Sequence, residues 1–456
     1  MRRSEPPAAR DHAVVLGAGI AGLCTAAVLT RHFARVTLVE RDRVKGRRAD
    51  GGARRGVPQS PHIHTVLAHA AQQMERLFPG LIEQCLAHGA VSAELGSQSR
   101  ITYHGHTLPQ TFAGIDAIMA SRPFLEAELR ERVLRLPSLS LRDGAEATGL
   151  VTDGAGGEAA VRGVGLHPGR GGAGGEVLEA DLVVDAMGRG ARSGAWLEEM
   201  GYRRAPEERT RINVTYASRH FALPPDALGA DRALMIGATP SRPRGMVLAA
   251  QENGSWVVSL HGYGNVRPPE GDGEFLDFAA AIAPPDVMGE LRRAEPLDPI
   301  AVYRFPCGVR RRYDRLKRFP DGLLAIGDAL CSVNPVYGAG ISLAAREAVL
   351  LGECLAEDGT RPLARRFFAS VHDATRAAWW LSKIGDYSLM QDGFSARLLG
   401  SSFRRLMAAA AQDPDTASAL LRSLAFVGSP LELARPRILR RMLHHPTPPR
   451  PEATAK

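Results

Sequence analysis

Lysine is nearly missing from this chain: it stands only at Lys45, Lys317, Lys383 and Lys456, so arginine carries almost all of the positive charge behind a formal net charge of +8. The arginines are scattered rather than gathered into a stripe, and aromatics make up only 6% of residues, so the basic, aromatic-interleaved footprint of a nucleic-acid binder is absent and no such partner is expected. Cysteine is scarce too. Cys24, Cys85, Cys307, Cys331 and Cys354 are odd in number, widely spaced and without a CxxC pair, which argues against a disulfide framework or a thiolate metal site and makes a reducing, cytoplasmic setting the default expectation. The segment Met1 to His12 has no apolar core, so it fails as a secretory signal. No transmembrane segment is expected: the one apolar run of nearly sufficient length, Ala13 to Leu29, is interrupted by Gly17, Gly19 and Gly22.

Those glycines are the first positive signal. Ala13-Val-Val-Leu16 reads as a short buried strand, Ile20 to Thr30 as an Ala-rich helix and Arg35 to Glu40 as a second strand, one βαβ unit. Gly17-Ala-Gly19-Ile-Ala-Gly22 lies at its strand-to-helix turn, where the first glycine permits the turn, the second admits a pyrophosphate and the third allows close helix packing. Glu40, followed by Arg41, ends the second strand, where a carboxylate can accept hydrogen bonds from an adenosine ribose. The pattern suits NAD or FAD.

Further along, Leu67 to Gly89 has helical apolar spacing, and a second helix is expected from Pro123 to Leu136 behind Ser121-Arg122. An arginine at a helix start is unfavourable by dipole, which points to a bound anion near Arg122. Gly-rich Asp153 to Glu176 predicts hairpin turns, Asp181 to Asp185 a buried strand, and Arg211 to Ser259 a separate antiparallel sheet. Leu323 to Ile326 returns to the buried-strand style and leads to a helix from Ile341 to about Leu355. Everything after Arg365 reads as helical, down to the Pro-rich tail.

Asp321-Gly-Leu-Leu-Ala-Ile-Gly327-Asp328, followed by Asn334-Pro335-Val-Tyr-Gly338-Ala339-Gly340 at a helix start, resembles the Gly-Asp motif of the class A flavoprotein monooxygenases, the family of p-hydroxybenzoate hydroxylase. The stretch Arg55-Gly-Val-Pro-Gln-Ser-Pro-His62-Ile-His64 and the stretch Arg312 to Arg315 are similar to one subgroup, the bacterial flavin-dependent epoxidases of polyether pathways. The resemblance covers most of residues 12 to 350. It implies bound FAD, with Asp328 on the ribityl chain, Pro335, Gly338, Ala339 and Gly340 facing the flavin ring, and Arg122 near the ribityl or phosphate region. Asp181-Leu-Val-Val-Asp185-Ala-Met-Gly188 looks like a further family motif, but two residues part Asp185 from Gly188 and no catalytic role follows. His62 and His64, two apart in a loop, are the candidate catalytic side chains, expected to face the same way.

The implied fold is α/β: a Rossmann-like FAD-binding domain (10–95, 115–200 and 311–365), an inserted antiparallel β-sheet substrate domain (96–114 and 201–310), a helical C-terminal region (366–445) and a tail (446–456). The implied activity is that of an FAD-dependent monooxygenase, transferring one oxygen atom from a flavin hydroperoxide formed with molecular oxygen. NADPH or NADH would be the reductant, directly or through a separate flavin reductase. With only Tyr216, His220 and His261 evident in the insert, no acid–base pair stands out, which leans toward epoxidation of an apolar alkene in secondary metabolism, with aromatic hydroxylation or double-bond reduction as alternatives. No Trp-x-Trp-x-Ile-Pro stretch supports a halogenase. A flavin- or lipid-binding protein without turnover is the non-enzymatic reading, and the Arg-rich segment Arg435 to His445 reads as a solvated helix end rather than a membrane anchor.

Overall fold

Val14, Val15 and Leu16 have no polar face to show to water, and the fold buries that strand, His12–Leu16, at the centre of a five-stranded sheet. Its neighbours run in the order Leu323–Ala325, Leu182–Asp185, His12–Leu16, Arg35–Glu40, Leu139–Asp143, and every adjacent pair is parallel, as expected of strands covered on both faces. This computed structural model describes residues 10–44, 46, 54–154, 158–168, 175–357, 360–389 and 394–444. The expected tail, 446–456, lies outside the described residues, as do parts of the loops around 50 and 170.

The helix Ile20–Leu29 is buried almost all round. Against it packs the helix Ala339–Ala356, close enough that a Cβ on Gly352 would come within 3.1 Å of Val28. The helix Arg122–Leu134 starts one residue before the expected Pro123, with Ser121 as its cap, the serine hydroxyl accepting from the Phe124 amide. One expectation fails here. The segment Leu67 to Gly89 is two helices, Ala68–Leu77 and Leu81–Ala87, because Pro79 cannot continue a helix and Gly80 turns left-handed at φ 75°.

A nine-stranded, mostly antiparallel sheet forms the second layer, built on Glu207–Ala222, Ser255–Tyr263, Arg244–Ala250 and Ala301–Arg311. At its far side Ala233–Ile236 pairs in parallel with Ser99–Tyr103, which the chain has supplied much earlier. Alternation gives this sheet two unlike faces. Ala217, Phe221, Leu248 and Leu260 pack against the helices Asp272–Ala280 and Pro285–Arg293. The opposite face carries Tyr303, Tyr216 and His261 side by side, in register across three strands, with Ser218 and Ser259 paired in the next row. Two three-stranded sheets, around Ala160–Pro168 and Asp116–Met119, complete the β structure among the described residues.

Four helices close the chain: Leu363–Leu389, Phe394–Gln412, Pro414–Leu424 and Pro436–His444. Among the described residues no helix is long and apolar enough to cross a membrane, and no group of three or more His, Cys, Asp or Glu side chains could hold a metal ion.

Candidate cofactor and substrate site

The three fingerprint glycines have three different neighbourhoods. Gly17 sits at φ 103°, and a Cβ there would lie 2.7 Å from the Ala186 carbonyl oxygen; a Cβ on Gly22 would lie 1.8 Å from the carbonyl oxygen of Gly17. Both are glycine because the protein's own backbone demands it. Around Gly19 nothing approaches a Cβ closer than 3.7 Å, and around Gly340 nothing lies within 4 Å. Gly19 and Gly340, together with Gly17, line a cavity of about 560 Å³, whose wall also carries Glu40, Arg41, Arg122, Asp328, Pro335, Gly338, Tyr303 and Phe305. Gly22 and Ala339 are not on its wall. Ala339 is buried at the first turn of its helix, behind Gly340 and Ile341, which are.

Six arginines and three carboxylates line the cavity, a balance that favours an anionic ligand. Glu40 braces the fingerprint turn: its carboxylate accepts from the Ala18 amide at 2.8 Å and from the Asp42 amide at 3.0 Å. It also meets Arg54 at 2.9 Å. Arg54, almost wholly buried, donates to the Ala18 carbonyl and pairs with Glu126, which in turn holds Arg122 at 2.8 Å. The dipole argument for an anion at Arg122 therefore loses its force, because Glu126 already answers that charge; what places Arg122 near a ligand is its position on the wall. The network Glu40–Arg54–Glu126–Arg122 was missed in the sequence. The four-residue spacing of Arg122 and Glu126 was the available signal. Arg41 is partly exposed and donates to the Arg55 carbonyl.

Across the cavity Gly327 turns at φ 68°, and its amide donates to Glu347 at 2.6 Å. Burial pushes the Glu347 carboxyl up to about 8. Asp328 faces the cavity with no hydrogen-bond donor on its carboxylate among the described residues, and burial raises its pKa against the pull of Arg189, Arg122 and Arg311. Asp185 differs: it accepts from the amides of Met187, Arg192 and Ser193 and from the Ser193 hydroxyl, a structural cap.

His62 and His64 do not face the same way. His64 lines the cavity, with its Nδ1 held by the His62 carbonyl at 2.8 Å, and burial pushes its pKa down to about 3. His62 turns to the polar sheet face, where its Nδ1 bonds the Ser218 hydroxyl at 2.7 Å and Ser218 bonds Ser259 at 2.7 Å. Its ring lies 5.7 Å from that of Tyr303 and 6.1 Å from that of Tyr216. His220, by contrast, is tied to Asp298 at 2.6 Å. The Nε2 atoms of His62 and His261 are both buried without a partner among the described residues, and burial lowers both pKa values to about 4.

A nucleotide cradle, an acid across from it with no donor on its carboxylate among the described residues and an excess of arginine fit FAD, and this fold and site are those of an FAD-binding protein. The FAD binding domain family matches residues 11–361, and the chain belongs to that family. It is 34% identical to Protein Rv3254 of Mycobacterium tuberculosis over 440 residues, 92% of this chain and 90% of that protein. It is 28% identical over 372 residues, 80% and 81% of the two chains, to the 6-methylpretetramide 4-monooxygenase of Streptomyces rimosus. Among solved structures, P. aeruginosa PqsL in complex with 2-aminobenzoylacetate superposes with a TM-score of 0.59 at 15% identity, covering 86% of this chain and 99% of the other.

Proposed function

We propose that this chain is an FAD-dependent monooxygenase that hydroxylates an electron-rich ring carrying an ionisable hydroxyl. The observation behind this reading is the pair of buried, unpartnered imidazole nitrogens, His62 Nε2 and His261 Nε2, on a sheet face that also presents Tyr303 and Tyr216. A polar atom left unpaired in the interior costs about 1–3 kcal/mol, and a phenolic or enolic hydroxyl offers the missing partner. An isolated alkene offers none, so the polar face favours hydroxylation over the epoxidation that the sequence alone suggested. The Streptomyces relative, by its name a 4-monooxygenase of 6-methylpretetramide, supports a monooxygenase reading.

Gly17, Gly19, Glu40, Arg41 and Arg122 would hold the adenosine and pyrophosphate part of FAD, with Gly22 letting the helix pack close behind that turn, Asp328 the ribityl hydroxyls, and the turn from Pro335 to Gly340 the ring. Bound and reduced, FAD supplies the electrons with which one atom of dioxygen reaches the substrate and the other leaves as water. His62 stays neutral at working pH, oriented by Ser218, and accepts a hydrogen bond from the substrate's hydroxyl through Nε2, which orients the ring and leans electron density onto it. His64 borders the ring end of the cavity and helps keep it dry. Electrons come from NADPH or NADH, directly or through a partner reductase.

Holoenzyme supplied with reductant and labelled dioxygen, and offered a polyphenolic ketide or an apolar alkene, tests the proposal. One labelled oxygen on the ring supports it. Label on the alkene alone moves epoxidation ahead, and substrate reduction without oxygen uptake makes the chain a double-bond reductase.

A further inference from the structure

The family match ends at residue 361, and the helix Leu363–Leu389 begins just beyond it. Near the end of that helix lies a carboxylate with no charged partner among the described residues. Asp386 is 2% exposed, and its Oδ1 accepts from Asn334 Nδ2 at 2.9 Å and from the Tyr337 hydroxyl at 3.0 Å. Gly385 beside it is shaped for the same contact: a Cβ there would lie 2.2 Å from the Tyr337 oxygen. Asn334 and Tyr337 are the two ends of the short turn whose Pro335, with Gly338 next to it, lines the cofactor cavity. Asn334 reaches the other way as well, its Oδ1 accepting from the Tyr216 hydroxyl at 2.7 Å. One carboxylate thus ties the cofactor turn to the polar sheet face.

We propose that Asp386 is a positioning residue for the flavin ring, acting through Asn334 and Tyr337 on the turn from Pro335 to Gly338, and that its ionisation tunes how readily the bound flavin is reduced. Burial pushes its carboxyl up to about 7, so it changes charge in the working range. The titratable groups around it are tyrosines: Tyr337 from the turn, Tyr216 and Tyr263 from the sheet, with Tyr103 behind them. Burial pushes all four up and pushes down to about 4 the pKa of His104, which bonds Ser388 on the same helix, so these groups remain neutral and, among the described residues around it, the charge that appears is that of Asp386. A negative charge lodged behind the turn disfavours a ring that gains electrons; the protonated acid does not.

The inference rests on FAD being the cofactor, and its failure is separable from a failure of that reading. The midpoint potential of the bound flavin is measured against pH in the wild type and in D386N and Y337F. The wild type is expected to show an inflection near neutrality that D386N lacks while retaining FAD. Y337F, having lost a donor to the carboxylate, shifts the inflection to higher pH. D386N titrating like the wild type overturns the proposal, as does a Y337F inflection that stays in place. A chain that binds no FAD sinks the cofactor reading instead. Because D386N keeps an oxygen that can accept from Asn334 and Tyr337, loss of folding does not blur the comparison.

Discussion

Gly19 and Gly22 look equivalent in the sequence, yet they answer to different masters. Gly22 faces backbone and Gly19 faces the cavity, so G22A is expected to unfold the chain while G19A and G340A leave the apoprotein's melting temperature within a degree or two. Both cavity-side variants should lower FAD affinity about tenfold or more, a cost of about 1.4 kcal/mol. Thermal melts without cofactor and a flavin titration check the pair. Arg54 carries a second prediction. Removing it leaves Glu40 buried without its cation and Glu126 with Arg122 alone, so R54A should lose about 3–5 kcal/mol of stability, read by denaturant unfolding. Glu347 carries a pH prediction whose sign follows from its raised pKa. A carboxyl more easily protonated when folded contributes stability in full below its unfolded pKa and loses it as pH rises through about 8. E347Q keeps an oxygen near the Gly327 amide and removes that loss, so its stability relative to wild type should rise between mildly acidic pH and pH 9. The rise is about 1.4 kcal/mol for every tenfold difference in proton affinity between the folded and unfolded chain that the substitution abolishes, read by denaturant unfolding across that pH range.

At the scale of elements, the βαβ unit was legible because three local signals agree there: an apolar strand, a helix of small residues and glycines at the joint. The Gly-Asp strand was legible for the same reason. The polar sheet face was not, because it depends on pairing rather than on local pattern. His62 meets Ser218 across 156 residues, and Ser99–Tyr103, with its hairpin partner His106–Thr107, adds to a sheet whose other strands come after residue 206. Apolar alternation in Glu207–Ala222 announced a strand with two faces but could not say which loop would lie on either. The break at Pro79-Gly80 was readable and was overridden by the helical spacing on both sides. The C-terminal helices read correctly as helices, yet their role came only from what they touch. Phe368 stacks on Tyr313 with ring centres 4.9 Å apart, pinning the helix Leu363–Leu389 to the segment before the Gly-Asp strand. F368A should cost about 3–5 kcal/mol and reduce FAD retention, because the helix that carries Asp386 is then loosened.

For the whole molecule, the parallel sheet supplies a nucleotide cradle, the nine-stranded sheet a polar floor, and the C-terminal helix a bolt between them. The family match covers the cradle and the floor and ends before that helix. The hydroxylation reading can fail by itself: H62F should lower kcat/KM for a phenolic substrate by about ten- to a hundredfold, the loss of one buried hydrogen bond, and leave flavin binding unchanged, whereas an epoxidase would hardly notice the loss. The most direct test of the central claim is the visible spectrum of the purified protein, reduced anaerobically with NADPH, or with a reductase and NADH, and then exposed to air. Bound flavin is expected to bleach and then to recover as oxygen is consumed. A protein that neither carries nor takes up flavin, or whose reduced flavin ignores oxygen, contradicts it.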